Sequence, residues 1–201
     1  MKKRALFVIP IALLLSSGAQ AQSFFWGVSY GMSTPFSDTK EFTEGTSWRN
    51  MGIDLLAVVN PNTTVGVSFG WNVFNDTTSA VSSRDNVDVQ GTQFRYINSL
   101  PILLNFRRYM GTRGGPRPYI GVGVGPHLMK ERVDVGLWTI SDNIWHFGVA
   151  PEVGLVVPMG PVVKGFINAK YHYAAAAGDA GRSHSYLGLN IGFAWAASGG
   201  M

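Results

Sequence analysis

Residues 94–106 read FRYINSLPILLNF, and residues 120–128 read IGVGVGPHL. In the first stretch Phe94, Tyr96, Leu100, Ile102, Leu104 and Phe106 share even positions, with Arg95, Ser99 and Asn105 between them. In the second, Ile120, Val122, Val124 and Leu128 alternate with Gly121, Gly123, Gly125 and His127. A period of two is that of a β-strand, whose successive side chains point to opposite faces. A turn rich in Arg, Gly and Pro separates the stretches, as in a hairpin. The question is what covers the apolar face. A soluble sheet buries it in a core. A membrane barrel turns it to lipid and its polar face to a lumen.

The same rhythm recurs six more times, near 24–34, 49–60, 63–74, 144–157, 162–173 and 186–195, which gives eight strands. Asn98 breaks it on the apolar face, and Ile97 and Leu103 on the polar one. Pro101, Pro126 and Pro151 each remove a ladder hydrogen bond, and because a bulge at any of them would flip the parity beyond it, the faces beside them stay open. Connections at 60–62, 109–118 and 158–161 are short or turn-like, whereas 35–48, 75–93, 131–143 and 174–185 are long. An even strand number with short turns at one end and long loops at the other is the outer-membrane barrel pattern.

Residues 1–21 carry the features of a cleaved export signal. Lys2, Lys3 and Arg4 precede an apolar run from Ala5 to Leu15, and Ala19-Gln20-Ala21 is a small-x-small cleavage site. The run is short of the roughly 20 residues that a spanning helix needs. Residues 22–201 are then one barrel domain that enters a membrane as strands. Removing the three leading bases takes the formal charge from +4 to +1, so the basic balance is no sign of nucleic-acid binding. The 201 residues include no Cys, which excludes disulfides and N-terminal lipidation at Cys.

Charge and aromatics are sorted along the strands. Of the 12 acidic residues, only Asp54 and Glu152 fall within the eight stretches; the rest lie in the long connections. Trp26, Phe106 and Trp195 lie near the turn end, with Phe24, Phe25, Tyr109 and Tyr119. Trp71, Tyr96, Trp145 and Tyr171 lie near the loop end, with Phe74, Phe94, Tyr173 and Tyr186. Val, Ile, Leu and Ala fill the space between, as bilayer interfaces select.

On these residues the mature chain resembles the small eight-stranded outer-membrane β-barrels of Gram-negative bacteria, the group that includes OmpX, the OmpA transmembrane domain and OmpW. SLPILLNFRRY followed by RPYIGVGVGP looks like their fourth and fifth strands. YLGLNIGFAW is similar to their C-terminal assembly signal, with Gly188, Ile191 and Phe193 at matching spacing. The chain departs from the family by continuing as AASGGM after Trp195. The resemblance implies a bacterial outer-membrane location. It implies lipids, lipopolysaccharide, the barrel-assembly machinery and periplasmic chaperones as partners, with neither cofactor nor nucleic acid.

Four candidate sites follow. The inward charges Asp54, Arg95, Arg107, Glu152, Lys164 and Lys170 read either as a paired plug or as an anion-preferring path. An eight-stranded interior is only wide enough for side chains to fill it, which favours the plug. GVGVG at 121–125 alternates in a strand, so it is packing space rather than a phosphate loop. A lipid-modifying Ser–His site is not expected: Ala174 follows His172-Tyr173, and no acid is evident for His172 or for His184 in Ser183-His184-Ser185. The four histidines fall one per region, so no metal site is expected. The long loops, with Phe36, Phe42, Trp48, Leu137 and Trp138, are the expected surface for an extracellular ligand.

Overall fold

The structure is a computed structural model. It describes residues 23–43, 45–84, 87–112, 114–135, 138–177 and 182–197, without the side chains of Phe42, 77–93, 133, 135, 138–140 and 197. The export signal, residues 198–201 of the tail, and the side chains of Phe42, Leu137 and Trp138 lie outside the described residues.

Eight strands run in chain order: β1 (Phe24–Phe36), β2 (Ser47–Asn60), β3 (Thr63–Arg84), β4 (Val87–Tyr109), β5 (Arg117–Val135), β6 (Trp138–Pro158), β7 (Val163–Ala174) and β8 (His184–Ala197). Each pairs antiparallel with its neighbours, and β1 pairs with β8 from Phe24↔Ala197 to Phe36↔Ser185, closing the barrel. This is the expected closed, eight-stranded, up-and-down architecture. Closure removes the unpaired strand edges that neither water nor lipid tolerates well.

The alternation sets the faces. Trp26, Ile102, Leu104, Val124, Phe147, Val149 and Ile191 point outward, with Leu104 62% and Phe147 68% exposed. Their neighbours Asn105, Arg107, His127, His146 and Glu152 are buried inside. The irregular Ile97 and Leu103 are also inside. A soluble monomer rarely exposes an apolar patch above a few hundred Å². An apolar girth around a polar interior is instead the arrangement for hydrocarbon outside and polar groups within.

One open point is settled and two expectations are corrected. First, the prolines cause no change of face. The β4–β5 ladder keeps one register from Gln93↔Val135 to Tyr109↔Tyr119 across Pro101 and Pro126, and β5–β6 keeps one register across Pro151. A missing N–H removes a bond, not a residue. At Pro101 the room comes from Gly70, where an added Cβ would lie 2.7 Å from the proline ring. The register shifts lie elsewhere, at Gly31/Ser33 and Val58/Asn60. Second, 75–93 and 131–143 are mostly not loops: β3 pairs with β4 up to Arg84↔Val87, and β5 with β6 up to Val135↔Trp138. Their Asp76, Glu131, Asp134 and Asp142 are therefore strand residues. Third, 35–48 contains a one-and-a-half-turn helix, α1 (Ser37–Phe42), which packs on β1 and β8.

Candidate functional site: the barrel lumen

Inward side chains fill the lumen in layers. At the turn end lies a cavity of about 410 Å³, walled by Phe25, Leu56, Tyr109, Tyr119 and Phe166 and edged by Arg117 and Lys164. Arg107 and Asp54 form its inner wall.

Above it sits an ion cluster. Arg107 Nη2 donates to Asp54 Oδ2 at 2.7 Å, and Arg107 Nε donates to Glu152 Oε1. Lys170 Nζ lies 3.1 Å from Glu152 Oε2. Two carboxylates face two cations, so each buried charge has an opposite partner, as burial requires. The geometry depends on a glycine. Arg107, Gly121 and Glu152 are successive register partners across β4, β5 and β6. A Cβ on Gly121 would stand 2.9 Å from Glu152 Oε1 and 3.0 Å from Arg107 Cγ. The first glycine of GVGVG thus lets arginine and glutamate meet over the strand between them. Of the other two expected lumen charges, Lys164 lies at the turn end with its ammonium 3.9 Å from the Phe25 ring centre. Arg95 lies towards the loop end, opposite Asp76 in the ladder.

Neutral hydrogen bonds continue upward. Asn50 Nδ2 donates to Ser33 Oγ at 2.9 Å, Ser33 Oγ to Asn72 Oδ1 at 2.9 Å, and Asn72 Nδ2 to the Tyr186 hydroxyl at 3.2 Å. The cavity in this middle section is only about 30 Å³. At the loop end Phe74, Ile97, Met129, Ala174 and Tyr186 form a buried apolar cluster.

α1 fastens over that end. The Asp38 carboxylate accepts from the Ser183 N–H at 3.1 Å and from Ser183 Oγ at 3.0 Å. These two donors hold its pKa below the ordinary carboxylate value. Thr39 Oγ1 accepts from the Ser185 N–H at 3.0 Å and lies 3.4 Å from His184 Nδ1. Thr39 and Thr43 are buried.

The histidines are not scattered. His127, His146, His172 and His184 are all buried in the loop half of the lumen. His127 packs edge-on against His172, and His146 edge-on against His184. Among the described residues no three His, Asp or Glu side chains are placed to hold a metal ion. An acid does face His184, since Glu131 Oε1 lies 3.5 Å from its Nε2. Ser183 gives its hydroxyl hydrogen to Asp38 rather than to His184.

The interface aromatics Trp26, Trp71, Phe106 and Trp145 face outward, Tyr96, Tyr171 and Trp195 share that face, and Trp26 stacks on Trp195 with ring centres 4.5 Å apart. Phe25, Phe74, Tyr109, Tyr119 and Tyr186 do not belong to the girdles: Phe25 and Tyr109 wall the turn-end cavity, and the other three are buried in the lumen. Parity was the available signal, because Phe74 continues the inward series of Asn72, Tyr119 that of Gly121, and Tyr186 that of Gly188. On β8, Gly188 faces in, whereas Ile191 and Phe193 face out.

No family model matches the chain, and no curated protein sequence does. Solved structures match in fold. Neisserial surface protein A (NspA) superposes with a TM-score of 0.55 at 14% identity, over 86% of this chain and 96% of that one. Ail, the attachment invasion locus protein of Yersinia pestis, solved with the heparin analogue sucrose octasulfate, gives 0.52 at 13% identity, over 88% and 99%. A major outer membrane protein from Thermus thermophilus gives 0.51 at 14% identity, over 88% and 100%.

Proposed function

We propose that this chain is an integral protein of the bacterial outer membrane, with a structural and surface-interaction role. The barrel stands in the bilayer with its short turns in the periplasm and its long hairpins and α1 outside, over a lumen closed by its own side chains. Lipids and lipopolysaccharide surround the girth. Periplasmic chaperones and the assembly machinery deliver it, with β8 and its Gly188, Ile191 and Phe193 as the assembly signal. The outer connections are the surface for an extracellular ligand. No residue set is assigned a catalytic role.

One observation carries this reading. The loop half of the lumen is filled by the Phe74–Ile97–Met129–Ala174–Tyr186 cluster and latched by α1. A middle cavity of about 30 Å³ has space for water but not for a hydrated solute to pass. The expected result in planar bilayers is no steady single-channel conductance from the intact chain, and its appearance when Phe74 and Tyr186 both become Ala. Steady steps from the intact chain, lost in a Lys164→Glu, Lys170→Glu variant, would establish the second reading, a narrow anion path. The turn-end cavity that reaches Arg107 is what favours that alternative.

A further inference from the structure

The turn-end cavity is larger than a plug requires. Its volume of about 410 Å³ lies within the range of small-molecule sites, about 300–1,000 Å³. It reaches the turns through Pro61, Gly114, Gly115 and Gly160, and the ion cluster forms its floor. Its composition is one-sided. Asp54 is the lone acid among the described lining residues, and Arg107 already holds it; the bases are Arg107, Arg117 and Lys164. All three cations are set against aromatic rings, with Arg107 Cζ 5.3 Å from the Tyr119 ring centre. Lys164 Nζ lies 3.9 Å from the Phe25 ring centre, and Arg117 Cζ lies 5.2 Å from that of Tyr109. Two buried polar atoms on the lining have no protein partner: Thr64 Oγ1, on a residue only 4% exposed, and Arg117 Nε. Buried polar groups are almost always satisfied, so these two, of six such atoms among the described residues, are left for water or a ligand that enters the cavity.

We infer that this chamber is a binding site for a small, soluble organic anion with a flat apolar body, which enters from the turn end. The body lies among Phe25, Tyr109, Tyr119 and Phe166. The anionic oxygens take the Arg117 Nε–H and the field of Lys164, and Thr64 Oγ1 supplies one further hydrogen bond. The Arg107 cluster stops the ligand from going deeper.

The test uses the full chain refolded in nanodiscs of zwitterionic lipid, with 1-naphthoate as probe and 1-naphthylmethanol as its neutral counterpart. Binding is read by calorimetry and by the Arg117 Nε–H resonance. The expected result is saturable 1:1 binding of naphthoate that shifts that resonance. The alcohol should bind about tenfold or more weaker, the consequence of losing one charge-assisted hydrogen bond. Lys164→Gln with Arg117→Gln should weaken naphthoate by at least about the same factor. Gly115→Trp provides an arm that leaves the cations in place, because a side chain at Gly115 meets nothing within 4 Å. It should fill the mouth and abolish binding while the barrel stays folded on a heat-modifiability gel. Non-saturable uptake, equal affinity for the alcohol, or binding unaffected by Gly115→Trp would overturn the proposal. Competition by anionic phosphatidylglycerol in the disc would also overturn it, in favour of a lipid headgroup as occupant.

Discussion

Replacing Glu152 by Ala tests the lumen where its electrostatics are most concentrated. The Glu152 side chain is 0% exposed; it accepts from Arg107 Nε and Nη2 and pairs with Lys170 Nζ at 3.1 Å. Without it Arg107 keeps Asp54, but the Lys170 ammonium, itself 9% exposed, loses its carboxylate. Removing one partner of a buried ion pair costs about 3–5 kcal/mol, because the other charge is left uncompensated. That is about two to four orders of magnitude in the folding equilibrium. The assay is urea unfolding of the chain refolded in lipid vesicles, followed by tryptophan fluorescence. A lower midpoint with an unchanged slope reports stability rather than altered compactness. Glu152→Gln keeps the shape and one acceptor and should cost less. Adding Lys170→Met to Glu152→Ala should recover part of the loss, since it removes the stranded charge. A cost below about 1 kcal/mol, the size of a surface ion pair, would refute the buried cluster. So would a Lys170→Met change that adds to the loss instead of offsetting it.

Two other outcomes follow from local geometry. Gly66→Ala places a Cβ 1.9 Å from the Leu55 carbonyl oxygen, so a backbone must move. The variant should lose about 1–3 kcal/mol in the same assay, and a wild-type midpoint would mean that strands β2 and β3 are packed differently. The Asp38 latch should depend on pH. Its folded-state pKa is depressed, so the stabilisation is complete above the unfolded carboxylate value near 3.9 and is lost as pH falls through the lower folded value. Relative to a free amide at the same pH, the Ser183 amide should be protected from deuterium exchange at neutral pH and lose that protection in strong acid. In Asp38→Asn the acid dependence should disappear, and its persistence would assign the protection to another group.

The fold was legible because an eight-stranded barrel writes one simple code along its strands. Parity alone placed Ile97 and Leu103 inside and Leu104 outside, although all three are aliphatic. The ion cluster was half legible. Asp54, Arg107, Glu152 and Lys170 carry inward parity, but only the ladder sets Arg107 beside Glu152 across Gly121. The same limit hid the histidines. His127, His146, His172 and His184 sit on β5, β6, β7 and β8, and the inward curl of the sheet brings them together in pairs, His127 with His172 and His146 with His184. Sorting aromatics by height alone misplaced Phe25, Phe74, Tyr109, Tyr119 and Tyr186, where parity held the answer. The outer hairpins were read as loops because polar residues such as Ser82, Ser83 and Asp88 interrupt the apolar alternation of the sequence. Their pairing follows from main-chain hydrogen bonds, which the side-chain pattern does not record.

The central claim is that hydrocarbon, not protein, covers the apolar girth. The chain has no Cys, so single-Cys nitroxide labels at Ile102, Leu104, Val124 and Val149, with Asn105 as the inward control, measure this directly in lipid vesicles. High collision rates with dissolved oxygen and low rates with a water-soluble nickel chelate are predicted at the four outward sites, with low rates for both reagents at Asn105. Nickel access at the outward sites matching that of an exposed loop, or shielding of those sites from both reagents, would contradict the account.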